Sequence, residues 1–66
     1  MKPIIGRDGN VIGFEHQVET RKEIRSRSNN LLGWHDERTD LSFTRDGNFA
    51  GRGDHTGRIL GAWLKS

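Results

Sequence analysis

The chain has 66 residues, of which 30% are hydrophobic and 30% charged, and it contains no cysteine. This length predicts a single domain, residues 1–66, with a thin core, and the lack of cysteine excludes disulfides and thiolate metal sites. The net charge of +2 is too small to indicate a polyanionic partner by itself. No apolar run approaches the roughly 20 residues that span a bilayer, and the N-terminus has no apolar signal stretch, so we expect a cytoplasmic protein without a membrane partner.

Three segments of the chain repeat one pattern, in which a small turn pair is followed by an Asn, two apolar residues and a Gly. The turn pairs are Asp8-Gly9, Ser28-Asn29 and Asp46-Gly47, and the repeats end in Gly13, Gly33 and Gly51. Asp-Gly is a strong signal of a two-residue type I′ turn, and Ser-Asn is a weaker one. Each repeat is therefore predicted to form one β-hairpin, over about residues 3–15, 23–35 and 41–53.

The predicted turns also set a register, in which Ile4 faces Gly13 and Ile5 faces Ile12. Side-chain alternation then puts Ile5, Ile12 and Phe14 on one face, and the equivalent residues are Arg25, Leu32 and Trp34, then Phe43, Ala50 and Arg52. The opposite face carries Ile4, Val11 and Gly13, with Ile24, Leu31 and Gly33, then Ser42, Phe49 and Gly51. Because both faces carry apolar side chains, we expect the hairpins to close pseudo-symmetrically or by oligomerisation. The three repeat glycines are expected to be packing positions.

The C-terminal element, residues 57–65, has two possible structures. Its apolar residues at 59, 60, 63 and 64 suit one face of a short helix, but Gly57 and Gly61 each disfavour a helix by about 1 kcal/mol. We therefore expect a strand in preference to the helix. The predicted fold is all-β, with three hairpin repeats followed by this element.

The phrases Pro3-Ile4-Ile5-Gly6-Arg7-Asp8-Gly9-Asn10-Val11-Ile12-Gly13-Phe14 and Thr44-Arg45-Asp46-Gly47-Asn48-Phe49-Ala50-Gly51-Arg52-Gly53 carry a resemblance. They resemble the hairpin repeats of small bacterial proteins called four-fold beta-flower domains. The resemblance covers about residues 3 to 61 and implies four hairpins around an approximate four-fold axis, with no assigned activity. This chain departs from that pattern because its fourth unit lacks the first strand.

The favoured function is a non-catalytic protein-interaction or self-assembly module, which forms a homo-oligomer and needs no cofactor. Its self-association or partner face is predicted to contain Phe14, Trp34 and Trp63. The alternative is a small β-domain that binds single-stranded nucleic acid, with bases stacked on aromatic rings beside arginines. The residues for that alternative, which share one predicted face, are Arg25, Trp34, Phe43 and Arg52.

A third hypothesis is a metal-binding protein or enzyme that uses His16, His35 and His55. It is disfavoured because the three histidines follow their repeat glycines at unequal distances and form no His-x-x-x-His pair. No segment carries a recognisable nucleophile motif either. We therefore predict no catalytic residue and no metal site, and whether the three histidines converge is left open.

Overall fold

The computed structural model describes residues 1–65, which form a single antiparallel sheet and one C-terminal helix. The strands follow one another across the sheet in chain order, with β1 and β6 at its edges. The all-β prediction is confirmed in part, because the fold is mainly β with one C-terminal helix. The elements are β1 (Lys2–Ile5), β2 (Val11–Val18), β3 (Arg21–Ser26), β4 (Leu31–Asp36), β5 (Leu41–Thr44), β6 (Phe49–Arg52) and α1 (Thr56–Lys65).

The three hairpin tips share one turn, and it is not the predicted type I′ turn. In the first hairpin the Gly6 amide donates to the Asn10 carbonyl at 2.8 Å, and the Gly9 amide donates to the Gly6 carbonyl at 3.1 Å. Gly9 has a φ of +85°, whereas Asp8 is not among the residues with positive φ. The loop therefore has three residues and ends in a left-handed one. Equivalent bonds close the other two tips, with Asn29 and Gly47 as the left-handed residues.

Each hairpin also has a β-bulge just after its turn, and the bulge changes the predicted faces. In the first hairpin Ile4 faces Gly13, as predicted, but Ile5 faces Val11, so that Ile12 is an extra residue on β2. The same shift occurs in the other two hairpins. Ile12, Leu32 and Ala50 therefore lie on the side that was predicted for Val11, Leu31 and Phe49, and the two sets exchange faces.

The C-terminal element is the helix α1, so the expectation of a strand there is wrong. The helix lies across β3 and β4, where Leu60 joins Ile24 and Leu32 in the buried core. Burial of one such leucine is worth about 1.5–3 kcal/mol, which is comparable with the helix cost of about 2 kcal/mol for the two glycines. Ile59 also packs against this core and adds to the gain. We call the side of the sheet that α1 covers the inner face (Ile4, Ile24, Leu32, Ser42), and the opposite side the outer face (Phe14, Trp34, Phe43, Arg52).

Two of the repeat glycines allow the helix to approach the inner face. A Cβ atom added to Gly13 would lie 2.7 Å from the Arg25 carbonyl oxygen and 3.1 Å from Leu60 Cδ1. One added to Gly33 would lie 2.5 Å from the Phe43 carbonyl oxygen and 3.0 Å from Ile59 Cδ1. The geometry thus gives both glycines a packing role.

The loop between β6 and α1 is fixed to the sheet by Ser42, which is fully buried. Its Oγ donates to the Gly53 carbonyl at 2.6 Å and accepts from the His55 amide at 3.0 Å. The carboxylate of Asp54 accepts bonds from the Thr56 amide and hydroxyl, and it pairs with Lys22 on β3. These contacts orient the first turn of the helix over the sheet.

The sheet of this chain is open, so closure by pseudo-symmetry or by oligomerisation stays a prediction, as does the likeness to beta-flower domains. Within residues 1–65, no helix has the length and apolar character that a membrane crossing requires.

Candidate functional site

The outer face is the most distinctive surface of the molecule, because no element of residues 1–65 covers it. The strand register arranges its side chains in rows that run across the strands. The central row consists of His16, Glu23, Trp34, Phe43 and Phe49. The flanking rows consist of Phe14, Arg25 and Leu31, and of Val18, Arg21, Asp36, Leu41 and Arg52.

Three aromatic rings form a continuous cluster in the central row. The rings of Trp34 and Phe43 stack with their centroids 5.6 Å apart, and the rings of Phe43 and Phe49 form a T-shaped pair with their centroids 6.3 Å apart. Trp34 and Phe43 are half-buried by their neighbours within the sheet, whereas Phe49 is 63% exposed. The cluster therefore presents ring surface that this chain alone leaves in contact with water.

Beside the rings, Glu23 lies between two arginines and is only 3% exposed. Its carboxylate accepts from Arg21 at 2.6 Å and from Arg25 at 2.9 Å. Burial raises the pKa of Glu23, but the hydrogen bonds and charges of Arg25 and Arg21 outweigh burial and hold that pKa below its ordinary value. The guanidinium carbon of Arg21 also lies 5.0 Å from the centre of the Trp34 ring. Glu23, Arg21 and Arg25 are thus paired within the chain, and the Arg21 guanidinium lies over the Trp34 ring.

The structure separates the predicted self-association residues into two groups. Phe14 and Trp34 lie on the outer face, whereas Trp63 lies on α1 at the other side of the sheet. The residues of the nucleic-acid alternative, Arg25, Trp34, Phe43 and Arg52, all lie on the outer face. Both assignments stay predictions.

Sequence reasoning left Arg21 and Glu23 out of the candidate site residues and placed Phe49 on the opposite face, although all three belong to this surface. A signal was present for the first two, because charged residues recur with a period of two at positions 21, 23 and 25. Phe49 was assigned to the wrong face because the bulge at Ala50 cannot be recognised from alternation alone.

The three histidines occupy different places. His16 lies on the outer face, His35 lies on the inner face with its Nε2 2.9 Å from Asp40, and His55 Nε2 donates to the Arg52 carbonyl at 2.7 Å. Within residues 1–65 there is no group of three or more side chains that could hold a metal ion. The structure does not bring the three histidines together.

Comparison of the chain with known protein families, with curated proteins and with solved structures found no match. The functional interpretation therefore depends on the geometry of the surface itself.

Proposed function

We propose that the protein is a non-catalytic self-assembly module whose outer face packs against the outer face of a second copy. The observation that carries the proposal is the uncovered aromatic cluster opposite a very small core. Among residues 1–65 the buried hydrophobic side chains are only Ile24, Leu32 and Leu60. A sheet with apolar residues on both faces is stable when each face packs against another layer, and α1 supplies only one.

The size of the outer face suits a dimer interface. The two longer dimensions of the molecule are 33 and 24 Å. A face of this extent presents roughly 600–800 Å², close to the area of about 800 Å² that each partner buries in a standard protein interface. Pairing of two outer faces would give the closure by oligomerisation that the repeat pattern predicts.

The charges of the outer face also favour an identical partner. Arginines 21, 25 and 52 share the face with two carboxylates, those of Glu23 and Asp36. An isologous contact brings both signs to both sides of the interface, whereas a polyanion would meet the two carboxylates as well as the arginines. Because Glu23 is already paired within its own chain, its carboxylate stays compensated when the interface buries it.

The test is the mass of the protein in solution, measured by light scattering at micromolar to tens of micromolar concentrations. We expect a dimer with a melting temperature that rises with concentration. Phe49→Lys should weaken association at least tenfold without unfolding the monomer, because Phe49 is 63% exposed. Leu64→Lys is the matched control, since Leu64 is an exposed apolar residue on α1, away from the outer face.

A monomeric mass at every concentration, with a melt that does not depend on concentration, would overturn the proposal. So would equal effects of the Phe49 and Leu64 variants on association.

Binding of single-stranded nucleic acid is the second candidate, and a specific observation favours it. Trp34, Phe43 and Phe49 form an uncovered row of rings with the Arg21 guanidinium over one of them, which is the arrangement of a base-stacking platform. Trp34 fluorescence, measured in a Trp63→Phe variant with a single-stranded oligonucleotide, separates the two candidates. Quenching at low salt that fades at about 0.2 M salt would favour nucleic acid over self-assembly.

A further inference from the structure

A cleft opens on the inner face, at the side of α1 that faces β5 and β6. The helix packs on β3 and β4, and the neighbouring part of the inner face carries a small side chain, Ala50. The resulting cleft has a volume of about 520 Å³. Pockets for small molecules commonly measure about 300–1,000 Å³, so the cleft is large enough to hold a ligand.

The walls of the cleft are mainly apolar. Leu32 and Ala50 line it from the sheet, and Ile59 and Trp63 line it from the helix. Leu32 is buried, whereas Trp63 is 40% exposed and forms part of the opening. An apolar chain or ring would fit between the sheet and the Trp63 side chain, in contact with the apolar residues that line the cleft.

Two arginines, Arg45 and Arg58, lie at the opening of this apolar space. The Arg58 Nη2 donates to the Ala50 carbonyl at 2.6 Å, which uses one of the five N–H donors of its guanidinium. No ion pair joins either arginine to a carboxylate within residues 1–65, and the acidic residue at the opening is Asp46. The opening thus has an excess of positive charge, and guanidinium groups bind carboxylates through charge-assisted hydrogen bonds.

Thr44 lines the same cleft, and its Oγ1 has no hydrogen-bond partner. Among residues 1–65, Thr44 Oγ1 is the only buried side-chain nitrogen or oxygen without a hydrogen-bond partner. Buried hydroxyl groups normally have a partner, but this oxygen has almost no surface open to the cleft, so it is not one of the ligand contacts proposed below.

We propose that the cleft binds a small amphipathic anion, namely a carboxylate with an apolar chain or ring. The apolar part lies against Trp63, Ile59 and Leu32, and the carboxylate accepts hydrogen bonds from Arg58 and Arg45. The cleft and the outer face are on opposite sides of the sheet, so this activity is separate from self-assembly.

The test uses decanoate as the probe, below its critical micelle concentration, and decanol as a neutral compound of the same chain length. A Trp34→Phe variant leaves Trp63 as the single tryptophan reporter, and Trp34 lies on the other face of the sheet. We expect decanoate to change Trp63 fluorescence saturably, and decanol to bind at least tenfold more weakly. Arg58→Gln should weaken decanoate binding at least tenfold and leave decanol binding unchanged.

Arg38→Gln is the matched control, because Arg38 is exposed in the turn between β4 and β5 at the opposite end of the sheet. It should leave decanoate binding unchanged. Ala50→Leu, which fills the cleft, should abolish binding of both compounds, and circular dichroism checks that the variant is folded. Equal affinity for decanoate and decanol, unchanged binding by Arg58→Gln, or no saturable response of Trp63 would overturn the proposal.

Discussion

Replacement of Gly33 by alanine is predicted to destabilise the packing of β4 against β5 and α1. The added Cβ would lie 2.5 Å from the Phe43 carbonyl oxygen and 3.0 Å from Ile59 Cδ1. Both distances are well below the roughly 3.5–4.0 Å at which the attraction between non-bonded heavy atoms is strongest. Ile59 can relieve its contact by rotation, but the Phe43 carbonyl belongs to the backbone of β5, so that strand must move.

The magnitude follows from two opposing effects. Overpacking of a close contact costs about 1–3 kcal/mol, and removal of a glycine from the unfolded chain returns about 0.4–1 kcal/mol. We therefore expect Gly33→Ala to lower the free energy of unfolding by about 1–2 kcal/mol. In a domain of this size, that loss corresponds to a fall in Tm of about 4–15 °C.

Thermal unfolding followed by circular dichroism, at one fixed protein concentration, measures this effect. Gly61→Ala is the matched control, because a Cβ at Gly61 meets no atom within 4 Å and the residue lies inside α1. That control should stabilise the protein by up to about 1 kcal/mol through helix propensity. If Gly33→Ala were as stable as the original protein while Gly61→Ala was stabilised, the close approach of helix and sheet would not limit stability.

Other predictions follow from the loop, the helix start and the turns. Ser42→Ala should lower the free energy of unfolding, measured in urea, by about 1–3 kcal/mol, because the part-buried Gly53 carbonyl and His55 amide both lose their partner. Ser28→Ala, at an exposed position, should have almost no effect. Burial raises the pKa of Asp54, but its bonds with Lys22 and Thr56 prevail and lower that pKa from 3.8 to about 2. The resulting stabilisation is present above pH 4 and is lost as the pH falls towards 2. Because the Asp54 side chain is 39% exposed, this stabilisation amounts to about 1 kcal/mol. Asp54→Asn should remove this part of the acid dependence of stability. Gly47→Ala should lower the free energy of unfolding, measured thermally, by about 1–2 kcal/mol, because Gly47 has a φ of +85°. Gly47→Asn should lower it less, and equal stability of the two variants would contradict this reason.

The positions of the hairpin tips could be predicted from sequence, but the type of turn could not. Gly9, Asn29 and Gly47 all take the left-handed conformation that small turn residues tolerate. A left-handed residue serves a two-residue loop and a three-residue loop equally well, so the pair alone does not specify which loop forms. The choice depends on how the strands twist and pack after the turn.

The bulges and the helix also lay beyond sequence reasoning. Val11-Ile12 and Leu31-Leu32 are pairs of consecutive apolar residues, so alternation alone cannot decide which member faces α1. This ambiguity affected the outer-face aromatic residues less. The bulges at Ile12 and Leu32 come before Phe14 and Trp34 in their strands, and the third bulge is on β6, whereas Phe43 is on β5. The helix was missed because a tertiary contact prevails over local propensity: Leu60 packs in the core, close to the backbone of Gly13.

The meander order of the strands bears on how the chain folds. Since every strand pairs with its neighbour in sequence, each hairpin forms by closure of a short loop, an event that takes about 1–10 μs in isolated hairpins. The helix contacts β3 and β4, which lie far earlier in the chain, and so its docking requires the longest loop closure. Until α1 docks, a newly formed sheet exposes apolar side chains on both sides, so we expect slower docking of the helix to increase aggregation during refolding.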